Sequence, residues 1–376
     1  MNSPGFCGTA AVHHEPVRQA PARVNRPSEL TVGHAVDWTF AGTVGARLAR
    51  QAAPVSEYTR RQATDDLAEA ALAAEIPVRE VTQLSGGAPA PAARIVDRKE
   101  WIRAASDSMR VMTGGTDSPG NVITGRITGA QTGAVLAFIS SGILGQYDPF
   151  AGGPAGQEGA LLLVYPNVIA VERQLRLEPR DFRLWVCLHE VTHRVQFTAN
   201  PWLAQHMSRA LGVLTAERGD DVGQVIGRLA EYVKDRRQVV GAAEPQNAGV
   251  LGLMRAVQSE PQREALDQLL VLGTLLEGHA DHVMDAVGPT VVPSVSLIRR
   301  RFDGRRQRKQ PPLQRLLRAL LGVDAKLSQY TRGRAFVDHV VDRVGTARFN
   351  AVWSGPDALP LPDEIENPQR WIDRVL

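Results

Sequence analysis

The chain has 376 residues, 43% of them hydrophobic, enough to fill a large core, which excludes an intrinsically disordered protein. Its 43 basic residues, nearly all Arg, and 40 acidic residues leave a formal net charge of +3 at pH 7, too close to balance to indicate a nucleic-acid partner. Two cysteines, Cys7 in a polar, proline-rich stretch and Cys187 in an apolar run, are too few for a disulfide framework and read as free thiols.

Residues 1–34 combine Pro, Arg and small residues and read as a disordered tail. They contain no continuous apolar run, so neither a secretory signal nor a membrane anchor is expected there, and the cytoplasm is the expected compartment. Residues 35–376 read as one domain, with a helical N-terminal subdomain over 35–120. Within it, Ala41 to Ala49 and Tyr58 to Ala74 keep helical apolar spacing. Ser85 to Pro91 is a loop by composition, Ala93 to Asp97 a short strand, and a helix follows around Trp101.

Residues 121–143, rich in Gly, Ala, Ile and Val, predict a buried helix of small residues. Ser140 and Ser141 fall inside it without the Gly-x-Ser-x-Gly turn a serine nucleophile needs, so packing is their expected role. Leu144 to Phe150 reads as the end of that helix, followed by a loop through Gly159. Ala160 to Tyr165, an apolar run between Gly and Pro, is a strand.

A helix is predicted from about Pro179, with Asp181 capping or favouring its first turn, to Asn200-Pro201. Leu184, Trp185, Leu188, Val191 and Val195 form its core stripe, and His189, Glu190 and His193 lie along an adjoining face. Histidines four residues apart share a helical face, so two imidazoles can converge on one ion while Glu190 leans toward water bound there. A catalytic zinc takes three protein ligands and leaves one position open, so a third ligand is required.

Amphipathic helix is expected over 208–247, and a second long helix from about Ser259 to Val287. In the latter, Leu266, Leu270, Gly273, Glu277, Ala280, Asp281 and Met284 fall on one stripe. An unpaired Glu277 carboxylate there would be costly unless a metal took it. Asp281, one turn on, could accept the second ring proton of a ligating histidine. His279 and His282 are rival ligands. On an ideal helix they point roughly 160° and 140° away from Glu277, so neither easily joins it at one ion.

His-Glu-x-x-His followed by Glu-x-x-x-Asp resembles the gluzincin signature, which implies that Glu277 is the third zinc ligand and that Asp281 supports His189. The stretches LGQYDPF, FRLWVCLHEVTHRVQFTANPWL, LLEGHADHVMD and KLSQYTRGRAFV resemble a family of actinobacterial zincin-like proteins, described as zinc-dependent hydrolases of unknown function, over about residues 36–376. One branch of that family is associated with biosynthesis of a deazaflavin coenzyme. The expected fold is a mostly helical α+β domain with short strands. In zincins a strand beside the active-site helix can hold an extended peptide by edge pairing, a role expected here of residues 160–165.

With Zn2+ as cofactor, the expected reaction is hydrolysis of a peptide or other amide, Glu190 taking the proton from water and returning it to the leaving amine. Gluzincins supply a further donor to the oxyanion from a later segment; Tyr330 is the first candidate, His282 the next. The alternative is a zinc-bound, catalytically weak binding or scaffold protein. The basic run Arg299 to Lys309 reads as a solvated loop, and neither nucleic acid nor membrane is expected as a partner.

Overall fold

In a computed structural model of the chain, residues 32–86, 92–116, 121–152, 159–215, 259–306 and 323–376 are described. The expected tail lies outside them apart from a single 3-10 turn at Val32–Ala35, as do Cys7 and most of the helix expected over 208–247. The described elements are mostly helical with a small three-stranded sheet, matching the expected fold class.

Twelve of the described helices exceed one turn: α1 (Trp38–Leu48), α2 (Glu57–Ala73), α3 (Glu75–Thr82), α4 (Arg98–Met112), α5 (Val122–Ser140), α6 (Tyr165–Leu175), α7 (Pro179–Ala199), α8 (Trp202–Thr215), α9 (Glu260–Ala286), α10 (Val295–Arg306), α11 (Val323–Val344) and α12 (Pro368–Val375). The strands are β1 (Arg94–Val96), β2 (Gly145–Asp148) and β3 (Ala160–Val164). β3 is central, parallel to β1 with Ile95 opposite Leu163 and antiparallel to β2 with Gly145 opposite Leu163.

The run Ala-Leu-Leu-Leu-Val is apolar throughout because β3 is covered on both faces. Leu161 and Leu163 enter the main core with Phe182, Leu188 and Val191 of α7. Leu162 and Val164 enter a second core with Trp101 and Ile102 of α4 and Leu136 and Ala137 of α5. Each fully buried Leu or Val contributes about 1.5–3 kcal/mol, so the strand is held hard against α7.

Two expectations change here. With β1 on one edge and β2 on the other, β3 has no free edge, so it cannot pair with an extended substrate. β2, read from sequence as the end of a helix and a turn, is one of the two edge strands; four residues beginning with Gly are too short to show strand periodicity.

The helix of small residues forms, but only one face is buried. Gly125, Gly129 and Gly133 face inward, and Cβ atoms on the latter two would fall on the backbone of Asp37 and of Ala41 and Gly45, so α5 crosses α1 backbone to backbone. Ile123 and Ile127 are exposed away from that face and Val122 at the helix start, and by length and composition this helix is long and apolar enough to span a bilayer. Ser140 donates to the Ala137 carbonyl, in keeping with a packing role.

Buried ion pairs secure α7. Arg183 pairs with Glu172 of α6 at 3.0 Å and with Asp66 of α2, and Arg194 pairs with Glu75 of α3. Glu178, not Asp181, caps the helix, while Asp181 accepts from the Ser294 N–H at 2.8 Å. On the other flank, α9 crosses α11 where Gly278 meets Gly333 and Arg334, leaving no room for a Cβ on either glycine.

Candidate metal centre

α7 and α9 pack directly against each other, and the contact brings together side chains that are 84 residues apart in the sequence or more. His189 Nε2 lies 3.2 Å from His193 Nε2 and 3.3 Å from Glu277 Oε2, and His193 Nε2 lies 3.7 Å from the same oxygen. The two rings stand edge to face at 89°, as two ligands on successive turns must if their Nε2 atoms are to meet. Four bonds of about 2.0–2.1 Å in tetrahedral array place neighbouring ligand atoms roughly 3.3–3.4 Å apart, so the triangle has the edge lengths a zinc ion needs.

A second observation agrees. Glu277 Oε2 is closed off from solvent and makes no hydrogen bond of good geometry; its polar neighbours include the two imidazole Nε2 atoms at 3.3 and 3.7 Å. A buried carboxylate oxygen left in that state is costly, and a cation between the three atoms removes the cost.

Burial opposes ionisation here, yet the charges win. Burial would lower His193, but Glu277 and then Glu190 outweigh it and hold the ring up to about 9. Burial would raise Glu277, but His189 and His193 outweigh it and hold the carboxyl well below its usual range. The metal-free site is therefore a carboxylate facing a protonated imidazole, a charge arrangement that a divalent cation replaces on release of the proton.

Glu190 is buried against the sheet, beneath the first residue of β2. A Cβ at Gly145 would stand 2.6 Å from Glu190 Cγ and 2.9 Å from its Cδ, so glycine there makes room for the acid.

The structure does not bring Asp281 to His189. The Asp281 carboxylate accepts from Arg299 Nη1 of α10 at 2.6 Å and has Arg334 of α11 3.8 Å away, while His189 Nδ1 faces Met284 Sδ at 3.2 Å. A guanidinium in reach outcompetes a neutral ring N–H for a carboxylate, and Arg299 also bonds Asp285 at 2.7 Å and lies over the Trp185 ring.

His279 and His282 are outside the cluster. His279 is buried between Phe349 and Trp353, and burial, with lesser effects from His282 and His193, pushes it down to about 3. His282 Nδ1 meets Asp338 Oδ1 at 2.6 Å. Tyr330 lies on α11, and its side chain lies outside the described residues.

The run at 299–309 is helical as far as Arg306 instead of a loop, and two of its cations are spent inside the protein. Arg299 binds Asp281 and Asp285, and Arg301 donates to the carbonyls of Leu175 and Arg176, both at 2.7 Å. Its later part lies outside the described residues.

Sequence reasoning missed Gln196, whose Oε1 is 2.9 Å from His193 Nδ1. Its spacing was a usable signal, since residues 189, 193 and 196 share one helical face.

The family model for zincin-like metallopeptidases matches residues 36–372, nearly the whole chain. The chain belongs to the zincin-like metallopeptidase family. This zincin-like protein is also similar to a crystal structure of a candidate hydrolase with a novel fold from Chloroflexus aurantiacus, at 30% identity and a TM-score of 0.61. The alignment covers 90% of this chain and 98% of the other. No curated protein matches the chain significantly.

Proposed function

We propose that this zincin-like protein is a zinc-dependent hydrolase of peptide or other amide bonds, with His189, His193 and Glu277 as metal ligands and Glu190 as general base. The observation that carries this reading is the three-atom triangle with edges of 3.2, 3.3 and 3.7 Å, two of whose corners lie on the helix that carries Glu190 and the third on α9. Family membership and the likeness to a candidate hydrolase support it.

Zinc held at this point acts as a Lewis acid and allows water to ionise near neutral pH. Glu190 follows His189 directly and precedes His193 by three residues, and its carboxylate is near enough to His193 to help hold that ring protonated. It takes the proton from the attacking water as the new C–O bond forms, then delivers it to the amide nitrogen as the C–N bond breaks. Among the described residues no strand pairs with the outer edge of β2, which lies beside Glu190 and supports an extended peptide as the substrate.

The test is metal analysis of the purified protein together with cleavage of a proteome-derived peptide library by wild type and Glu190→Gln. A hydrolase cuts a defined set of bonds as wild type and loses turnover by at least ~10²-fold on substitution, with zinc retained. Equal cleavage by both proteins would refute the assignment of Glu190.

A further inference from the structure

Gln196 stands one turn beyond His193 on α7 and is completely buried, so its amide must find every partner within the protein. Three polar atoms surround it. Its Nε2 lies 3.0 Å from the Leu276 carbonyl oxygen and 3.0 Å from His279 Nδ1, and its Oε1 lies 2.9 Å from His193 Nδ1.

A backbone carbonyl can only accept, so the end of the amide facing Leu276 is the nitrogen and the end facing His193 is the oxygen. An amide oxygen also only accepts. His193 therefore carries a hydrogen on Nδ1, so the proton that leaves when a metal enters is the one on Nε2, the atom that faces Glu277 and His189. The second amide N–H finds His279 Nδ1, on a ring held between Phe349 and Trp353 at 5.3 and 5.4 Å. The tautomer of a metal ligand on α7 thus traces back to the carbonyl of Leu276, the residue before Glu277 on α9.

We propose that Gln196 is a positioning residue for the metal: its amide selects the Nδ1–H tautomer of His193 and ties that ring to the turn of α9 that carries Glu277. One side chain thereby sets the tautomer of one ligand and its spacing from a second ligand on another helix. A carboxylate at this position would meet the Leu276 carbonyl with no hydrogen to offer, so a neutral amide fits where an acid does not. This inference rests on the metal-binding part of the function proposed above and not on hydrolysis.

The test compares the full-length wild type with Gln196→Met, similar in length and without the amide. Zinc affinity, measured by competition with a chromophoric chelator, is expected to weaken about 10–100-fold in the variant. Imidazole 15N–1H spectra of the zinc-loaded wild type should show metal on His193 Nε2 and a hydrogen-bonded, slowly exchanging Nδ1–H that is lost in the variant. A role confined to gluing α7 to α9 would lower the melting temperature and leave zinc affinity unchanged. A folded variant with wild-type zinc affinity overturns the proposal. If the variant does not fold, the wild-type spectrum decides alone: zinc on His193 Nδ1, or an Nδ1–H in free exchange with water, also overturns it. A wild type that takes up no zinc removes the proposed function as well, which distinguishes that failure from one of Gln196 alone.

Discussion

Gly145→Ala tests whether the position of Glu190 sets the rate. The β2 backbone at Gly145 is ordinary strand, so alanine is acceptable there on conformational grounds. Its Cβ, however, would stand 2.6 Å from Glu190 Cγ, 2.9 Å from Glu190 Cδ and 3.0 Å from Leu163 Cδ2. Carbon atoms in contact keep about 3.5–4.0 Å, so the Glu190 side chain must retreat by roughly 1 Å. Rotating it away costs about 0.5–1.5 kcal/mol in the folded state. The same 1 Å displacement of a catalytic group costs about 10²-fold in rate, or ~2.7 kcal/mol of transition-state stabilisation. The expected variant therefore melts within a few degrees of wild type and binds zinc normally, because His189, His193 and Glu277 are not among the atoms nearest the new methyl. It cleaves the best peptide from the library about 100-fold more slowly in initial-rate assays at saturating zinc. Wild-type cleavage by a folded, zinc-loaded Gly145→Ala protein would refute both the position and the role given to Glu190.

Asp281→Asn should cost stability, about 1–3 kcal/mol by denaturant unfolding, because Arg299 loses a partly buried partner. Its zinc affinity should stay at the wild-type level; a loss of about 10-fold or more would return Asp281 to the support of a metal ligand. Gly278→Ala forces a methyl into the α11 backbone beside Glu277 and should both destabilise the fold by more than about 1–3 kcal/mol and weaken zinc binding. Gly133→Ala makes the same kind of clash between α5 and α1, so unfolding should shift while zinc titration does not. With His193 held up to about 9 in the metal-free protein, zinc entry displaces its proton. Apparent affinity should then rise about tenfold per pH unit below that value and level off above it, as calorimetry in buffers of different ionisation enthalpy would show. Cys187 is fully buried with its thiol pKa pushed up by burial, so a thiol reagent should label it only as the protein unfolds.

Features that depend on local spacing were open to reading from the chain. The four-residue step from His189 to His193 dictates a shared helical face, and the apolar stripe around Glu277 marks a carboxylate that must find a partner. The run of Ala160 to Val164 declares a buried strand because no polar residue interrupts it. What spacing cannot convey is which of several partners a side chain takes. Asp281 is one helical turn from Glu277, so its position suits a ligand-supporting role, but an arginine from α10 claims it instead. Gln196 shares the helical face of the two histidines, but the partners that orient its amide appear only when Leu276 and His279 arrive from α9.

By itself the sequence determined the helix that bears the two histidines, the one that bears Glu277, the strand at the centre of the sheet and the face from which two imidazoles and an acid project, because these follow from periodicities of a few residues along one segment. The tertiary structure alone decided that β2 and not β3 occupies the edge beside Glu190, that α9 approaches α7 closely enough for Glu277 Oε2 to reach 3.3 Å from His189, and that Asp281 is spent on Arg299. Those outcomes depend on distances between segments far apart in the chain, and only the packing of the two cores sets such distances.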